Sequence, residues 1–439
     1  MKIPIFLLLL LAGIPALAQQ TLPVIKATSE KVAIREANGP VTRFWDHLSP
    51  LHPVVYSLSK NRKPQEVTFY TDQDSLVFTV WPGRHYDFKV LLNGKDTCAV
   101  QLSTIVPAFE RDCASCDTHS DNIPFTLGKD NYIHVSGTLN GSAPLDLIFD
   151  TGASTFVLTE KGKKKVKLSL DGLTENEGTS GFSTEKTSSS NLLRVAGLRW
   201  KNLPLLFYDY RGGLDADGVI GFNIVENKAV EIDYDQHILV LHDPGSFSKT
   251  GYTFIPMIHG LEGTFIPATL SNGKEKAEGW FLFDSGASLA AVTSVDFVHR
   301  HQLDGDLKFI GKASIQGTGP EASASRVAIM PQLIIAGLSL PEVPVSLEAK
   351  QSGYYGHEGI VGNLVLQRFN VIIDYPDTTI YLKSNQLAGK PFGNSHKKGW
   401  TILVTIIGGI LSVVIFLIVR RLAKVNRFEN SKLKFNRLL

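Results

Sequence analysis

Cysteine is scarce in this chain, with three among 439 residues. A disulfide-dense scaffold is thereby excluded, and folding must rest on an apolar core. Charge of one sign is lacking too: 44 Lys and Arg stand against 42 Asp and Glu, a net +2. No basic cluster of the kind nucleic acid demands interrupts the body of the chain, so no nucleic-acid partner is expected. A Gly-x-Ser-x-Gly elbow is missing, which counts against a serine hydrolase of that type. His357-Glu358 lacks the second His of a zinc-peptidase helix and reads as a loop pair. No metal and no cofactor is expected. What remains is 43% hydrophobic and 20% charged, the balance of an ordinary folded protein rather than a disordered or fibrous one.

Long apolar runs are confined to the two ends. Lys2, an apolar run from Ile3 to Leu11, and Ala16-Leu17-Ala18 follow the order of a secretory signal peptide, expected over residues 1–18. Thr401 to Val419 holds no ionisable residue and, as a helix, reaches about 30 Å, the thickness of a bilayer core. Trp400 stands at one edge, and Arg420, Arg421, Lys424 and Arg427 follow the other. The positive-inside rule keeps those cations cytoplasmic, so the preceding chain is expected on the exported side. The expectation is a single-pass membrane protein, with a transmembrane helix at 400–419 and a basic cytoplasmic tail at 420–439.

Residues 19–121 read as a small β-rich module. Glu66 to Tyr70, Ser75 to Val80 and His85 to Leu92 alternate apolar and polar positions, with Trp81-Pro82-Gly83 and Asn93-Gly94 as turns. It carries no recognisable chemistry, and pro-segment and accessory domain stay equally open. Cys98, Cys113 and Cys116 lie here. A structural bridge with one thiol left over is the expectation; a zinc set completed by His119 is the weaker reading.

Downstream, the chain repeats itself. Leu145-Asp-Leu-Ile-Phe-Asp150-Thr151-Gly152-Ala153-Ser154 is matched by Gly279-Trp-Phe-Leu-Phe-Asp284-Ser285-Gly286-Ala287-Ser288. A β-like segment and a polar turn precede each, Tyr132 to Leu139 with Asn140-Gly141, and Thr264 to Leu270 with Asn272-Gly273. Each is followed by a Gly-Thr pair, Gly178-Thr179 and Gly317-Thr318, then by Gly218-Val-Ile-Gly221 and Gly359-Ile-Val-Gly362. Val230-Glu-Ile-Asp-Tyr234 and Val371-Ile-Ile-Asp-Tyr375 close the copies. Five landmarks in one order, twice, define an internal repeat.

In each copy an apolar strand ends in an Asp at the start of a turn, which holds the carboxylate on a rigid element. Gly152 and Gly286 let backbone pass close by, and Thr151 and Ser285 offer hydroxyls that can bond across to the partner loop. A lone Asp-Thr-Gly is an ordinary turn. Two in equivalent places of a repeat bring two carboxylates together, and at about 3 Å they cannot both ionise. One then takes a proton from water while the other donates to a carbonyl: hydrolysis without a covalent intermediate.

At these residues the sequence resembles the aspartic peptidases of the retropepsin-like group. Asp-Thr-Gly-Ala and Asp-Ser-Gly-Ala, each paired with Val219-Ile220-Gly221 or Ile360-Val361-Gly362, carry the resemblance over roughly residues 122 to 383. It implies a mainly β fold with a cleft between two lobes, at 122–245 and 246–388, in tandem as in pepsin-like enzymes. It implies Asp150 and Asp284 as the catalytic dyad, Thr151, Gly152, Ser285 and Gly286 as supporting loops, and Gly178, Thr179, Gly317 and Thr318 as flap tips. No tyrosine stands near those tips, where the nearest aromatic is Phe182. The expected activity is endopeptidase cleavage of a peptide or protein substrate by a monomer, with two chains pairing lobe to lobe as the variant. A catalytically silent peptide-binding module of the same fold is the rival from another class. The basic run Lys161 to Lys167 reads as a solvated surface.

Overall fold

The computed structural model describes residues 22–392 apart from 38–40, 45–47, 52, 59–62, 113–119, 179–180, 211–212, 261–262, 316, 319–322 and 349–356. The expected leader, transmembrane helix and tail lie outside the described residues, as do Cys113, Cys116, His119 and Thr179. Among the described residues the protein is mainly β, and no helix is long and apolar enough to cross a membrane.

The upstream module comprises β1 (Val24–Ala27), β2 (Val32–Glu36), β3 (Val41–Phe44), β4 (Val54–Ser57), β5 (Gln65–Tyr70), β6 (Ser75–Val80), β7 (His85–Leu92) and β8 (Asp96–Ser103). They form two four-stranded sheets, ordered β1-β7-β8-β4 and β3-β2-β5-β6. Period-2 alternation buries one face of β1, β7 and β8: Phe88, Val90 and Leu92 from β7 meet Ile34, Val67 and Phe69 in a core of the module's own, with Cys98 buried among them. Asn93 and Gly94 both take positive φ, 54° and 66°, in the turn that joins Leu92 to its ladder partner Asp96.

Next come β9 (Ala108–Arg111) and β10 (Ser120–Pro124). Both pair with strands downstream of residue 122, so the first repeat's sheets begin ahead of the expected division there. The first repeat then runs through β11 (Thr126–Leu127), β12 (Ile133–Leu139), β13 (Leu145–Phe149), β14 (Phe156–Thr159), β15 (Gly172–Gly178), β16 (Gly181–Val195), β17 (Leu198–Tyr208) and β18 (Gly218–Ile220). Strands β19 (Ala229–Asp233), β20 (Ile238–His242) and β21 (Thr253–Pro256) follow. The second repeat runs through β22 (Ile258–Gly260), β23 (Gly263–Ser271), β24 (Lys276–Asp284), β25 (Ala291–Ser294), β26 (Lys308–Ile315), β27 (Ser323–Ile335), β28 (Leu338–Glu348) and β29 (Gly359–Gly362), then β30 (Phe369–Asp374) and β31 (Thr379–Ser384).

The sheets repeat neighbour for neighbour. One is ordered β11-β12-β13-β18-β14-β17-β16-β15, with β9 added on β17; the other is β22-β23-β24-β29-β25-β28-β27-β26. The extra contact of β12 with β16 recurs as β23 with β27. A third sheet, β10-β20-β19-β30-β31-β21, is drawn from both repeats and reads as a palindrome. At its centre β19 and β30 run antiparallel, with Glu231 opposite Ile372. Aligning Val230–Tyr234 with Val371–Tyr375 makes those two residues counterparts, so the twofold relation of the halves passes between them. One apolar core, from Ile123 through Val230 and Val371 to Leu382, spans both repeats.

Candidate active site

Each aspartate is seated by a parallel strand pair. β13 lies beside β18 with Phe149 opposite Ile220, and β24 lies beside β29 with Asp284 opposite Gly362. The loop after each aspartate folds back over the Gly that ends the apolar-apolar-Gly run. Phe222 N–H donates to Ala153 O (2.9 Å), and Asn363 N–H to Ala287 O (2.7 Å). A Cβ on Gly221 would strike the carbonyls of Ala153 and Thr155, and one on Gly362 those of Ala287 and Leu289. Those two glycines are required by this crossing of backbones.

Thr151 and Ser285 are fully buried and bond across the repeats in a closed exchange. Thr151 Oγ1 donates to Phe283 O (2.8 Å) and accepts from Ser285 N–H (2.9 Å). Ser285 Oγ donates to Phe149 O (2.9 Å) and accepts from Thr151 N–H (3.0 Å). Each hydroxyl thus grips the main chain just ahead of the other repeat's aspartate. The consequence is proximity: a Cβ on Gly152 would lie 2.6 Å from the Asp284 carboxyl carbon, and one on Gly286 would fall into the Asp150 carboxyl. The two carboxyls share a side-chain hydrogen bond.

Asp150 Oδ1 accepts from Gly152 N–H (2.7 Å) and Ala153 N–H (3.1 Å), while Asp284 Oδ1 accepts from Gly286 N–H (2.8 Å). Burial raises both acids. For Asp284 the neighbouring Asp150 charge adds to it and carries the group well above the ordinary carboxylate range. For Asp150 the amides of Gly152, Ala153 and Gly286 and the hydrogen bond from Asp284 work against burial. The two acids therefore share one proton, Asp284 being raised the more strongly.

Residues 135–224 match the family model of aspartyl proteases. The match covers the first repeat from inside β12 to Ile224, and includes the Asp150 loop and Gly218–Gly221. No curated protein matches the chain.

Other residues singled out in the sequence fall elsewhere. Gly178 ends β15, paired with Gly181 across the hairpin turn, and Gly317 and Thr318 lie between β26 and β27. The basic run lies at the surface, with Lys161, Lys164, Lys165 and Lys167 exposed, and three of its lysines make contacts there. Lys165 Nζ sits 2.7 Å from the buried Asp217, Lys161 pairs with Asp215 at 2.8 Å, and Lys163 lies over the Phe207 ring. His357 is buried and stacked on Phe265 at 4.8 Å, and burial lowers its pKa to about 4; Glu358 meets Arg300 at 3.3 Å. Neither belongs to a metal-holding group of His, Cys, Asp or Glu among the described residues.

Two tyrosines went unnoticed in the sequence. Tyr132 and Tyr210 both lie within electrostatic reach of Asp150 and Asp284, and burial raises both phenols. Neither neighbours a Gly-Thr pair in the chain. The available signal was position: Tyr132 immediately precedes β12, which pairs with the strand leading to Asp150.

Proposed function

We propose that this chain is an aspartic endopeptidase in which Asp150 and Asp284, one from each of two tandem lobes, act as a dyad on a single water. The observation that carries this reading is the reciprocal Thr151–Ser285 exchange, which sets each carboxyl against the glycine of the other loop. The family match over 135–224 supports the peptidase class.

The chemistry follows from the unequal pair. Asp150, charged and steadied by amide donors, takes a proton from a water lying between the carboxyls as that water attacks the scissile carbonyl carbon. Asp284, holding the shared proton, donates to the carbonyl oxygen, so a tetrahedral diol forms and no covalent enzyme intermediate does. On collapse of the diol, Asp150 passes the proton it took to the leaving nitrogen as the C–N bond breaks, and Asp284 recovers a proton from a diol hydroxyl as the carboxylic acid forms, so the pair ends with the one proton it began with. No metal or cofactor enters this scheme. Peptide would lie extended between the lobes beneath the β15–β16 and β26–β27 hairpins, near Gly178 and Gly317-Thr318. The chain would work as a monomer anchored by its 400–419 helix, with the lobes on the exported side and residues 420–439 in the cytoplasm.

The test is cleavage of a diverse peptide mixture by the full chain in detergent, with and without a hydroxyl-bearing transition-state mimic. Cleavage blocked by the mimic and lost in Asp150→Asn and in Asp284→Asn is the expected result. Undiminished turnover by either variant would remove the dyad. Binding of extended peptide without cleavage at any pH would favour the silent binding module instead.

A further inference from the structure

The strand at each end of the palindromic sheet runs on into its own repeat with one pattern of exposure. Asn122, Pro124 and Thr126 stand exposed from β10 into β11, with Ile123 and Phe125 buried between them. Phe254, Pro256 and Ile258 stand exposed from β21 into β22, with Ile255 and Met257 buried between them. The registers make these residues counterparts. Ile123 pairs with Leu239 and Ile255 with Ile380, each five residues past the tyrosine that closes a repeat. Thr126 pairs with His134 and Ile258 with Phe265, which lie opposite Ile148 and Leu282, each two residues before an aspartate. Alternation sets each exposed trio on one side of its strand. The fold accepts Asn and Thr at two of the three places, so packing does not require the apolar ridge of the second repeat.

That ridge is open to solvent. Phe254 is 70% exposed and Ile258 40%, and no large apolar residue in the described part of either repeat is more exposed than Phe254. Phe254 stands opposite Tyr381, whose ring centre lies 4.9 Å from the Lys249 ammonium. The Lys383 ammonium lies 5.8 Å from the Tyr252 ring. Both lysines are exposed. Apolar side chains bordered by long cationic stems and tyrosine rings suit the boundary between lipid headgroups and acyl chains.

The last described residues lie on the same flank. Arg368 holds them: its Nη2 donates to Lys390 O (3.1 Å), and its guanidinium lies 3.7 Å from the Phe392 ring centre. Arg368 directly precedes β30, which pairs with β31, which pairs with β21. The ridge therefore starts two strands from that clamp, at about 4.8 Å per strand. Seven residues, Gly393 to Gly399, separate Phe392 from Trp400, a reach of no more than about 28 Å. A compact body of two such repeats measures about 45–50 Å across. The bilayer must then meet the flank where Phe392 sits, since the far side is out of reach.

Resting on the anchored reading above, we propose that the ridge of Phe254, Pro256 and Ile258 is a docking surface for the lipid bilayer. It seats the second repeat in the headgroup region on the exported side. The cleft is thereby held in one orientation instead of swinging on its tether.

The test is tryptophan fluorescence of the full chain reconstituted in phosphatidylcholine vesicles, with and without bromine near the headgroup end of the acyl chains. In the unaltered chain, Trp400 reports the anchor. Phe254→Trp and, as a second site, Ile258→Trp should each add emission of which about half or more is lost to the brominated lipid, because an apolar ridge at the interface sinks about 5–10 Å into the headgroup boundary. Leu173→Trp, at an exposed site on β15 of the first repeat, should add emission that bromine leaves unquenched. Quenching in the unaltered chain with none added at 254 or 258 overturns the docking surface and leaves the anchor standing. Quenching added at 254 in a chain whose own tryptophans are untouched would remove the anchor and keep the docking surface. Equal quenching at 173 overturns the ridge as the contact. Emission of the 254 variant that shifts with chain concentration in detergent would give the ridge to a second copy and overturn the lipid assignment.

Discussion

The first and second repeats share one order of eight strands in their main sheets, with β9 added to the first alone among the described residues, yet they decorate that scaffold differently. Where the first has the His134–Asp146 pair at 2.8 Å, the second has Phe265 and Trp280. Where the first pairs Asp217 with Lys165, the second pairs Glu358 with Arg300. The agreement is tightest at the aspartate loops, where Thr151 and Ser285 each make the same two side-chain bonds in opposite directions. Backbone geometry and the cross-repeat exchange are what a twofold site demands. Outside them the halves have been free to diverge.

The comparison is most severely tested at the proposed dyad. Asp150→Asn and Asp284→Asn should each lower kcat/KM by about 10²–10⁴-fold, the range of general acid–base catalysis. Retained activity in one of them would mean that only one half supplies chemistry. Next come the glycines that face the carboxyls. Gly286→Ala should cost more activity than Gly152→Ala, because its added methyl presses more deeply into the opposite acid; comparison of kcat/KM for the two folded variants ranks them.

Removing one hydroxyl of the exchange strands a buried N–H and a buried C=O. Thr151→Val and Ser285→Ala should therefore each destabilise the chain by roughly 2–6 kcal/mol, at about 1–3 kcal/mol per orphaned group. Denaturant melting of the two variants checks it, and values far apart would break the equivalence of the loops.

The smallest expected effect distinguishes the two acids. Asp284 titrates higher in the folded chain than in the unfolded one, so folding loses stability as pH rises from the unfolded value toward the folded one. Asp284→Asn removes that loss. Its melting temperature should exceed the unaltered chain's at neutral pH by a few degrees, roughly 2–4 °C per 1 kcal/mol. The gap should shrink as pH falls through the range of an ordinary carboxylate. A larger gain from Asp150→Asn would reverse the assignment of the proton.

Much of this scaffold was legible in the chain because its constraints are local. Asp-Thr-Gly and Asp-Ser-Gly, and the glycines ending Val219-Ile220-Gly221 and Ile360-Val361-Gly362, are dictated by close backbone crossings that leave a residue-level signature. The hairpins His85–Leu92 with Asp96–Ser103 could be read from alternation and Asn93-Gly94. One further landmark passed unnoticed: Ala196-Gly197-Leu198 and Ala336-Gly337-Leu338 both form positive-φ turns between long strands. What could not be read was set by distant parts of the chain. The pairing of Ala108–Arg111 with β17, the burial of Asp217 beneath Lys165, and the bond from Tyr132 to Ser288 join residues with no shared local pattern.

The palindromic sheet makes each half dependent on the other beyond the dyad. Cut between β20 and β21, either piece would expose the edge of β19 or β30, including Val371, Ile372 and Ile373, all fully buried in the joined chain. Such a greasy, hydrogen-bond-hungry border seeks another strand. An isolated piece should therefore aggregate or dimerise through that border, and remixing the two should restore the mutual seam without any covalent link.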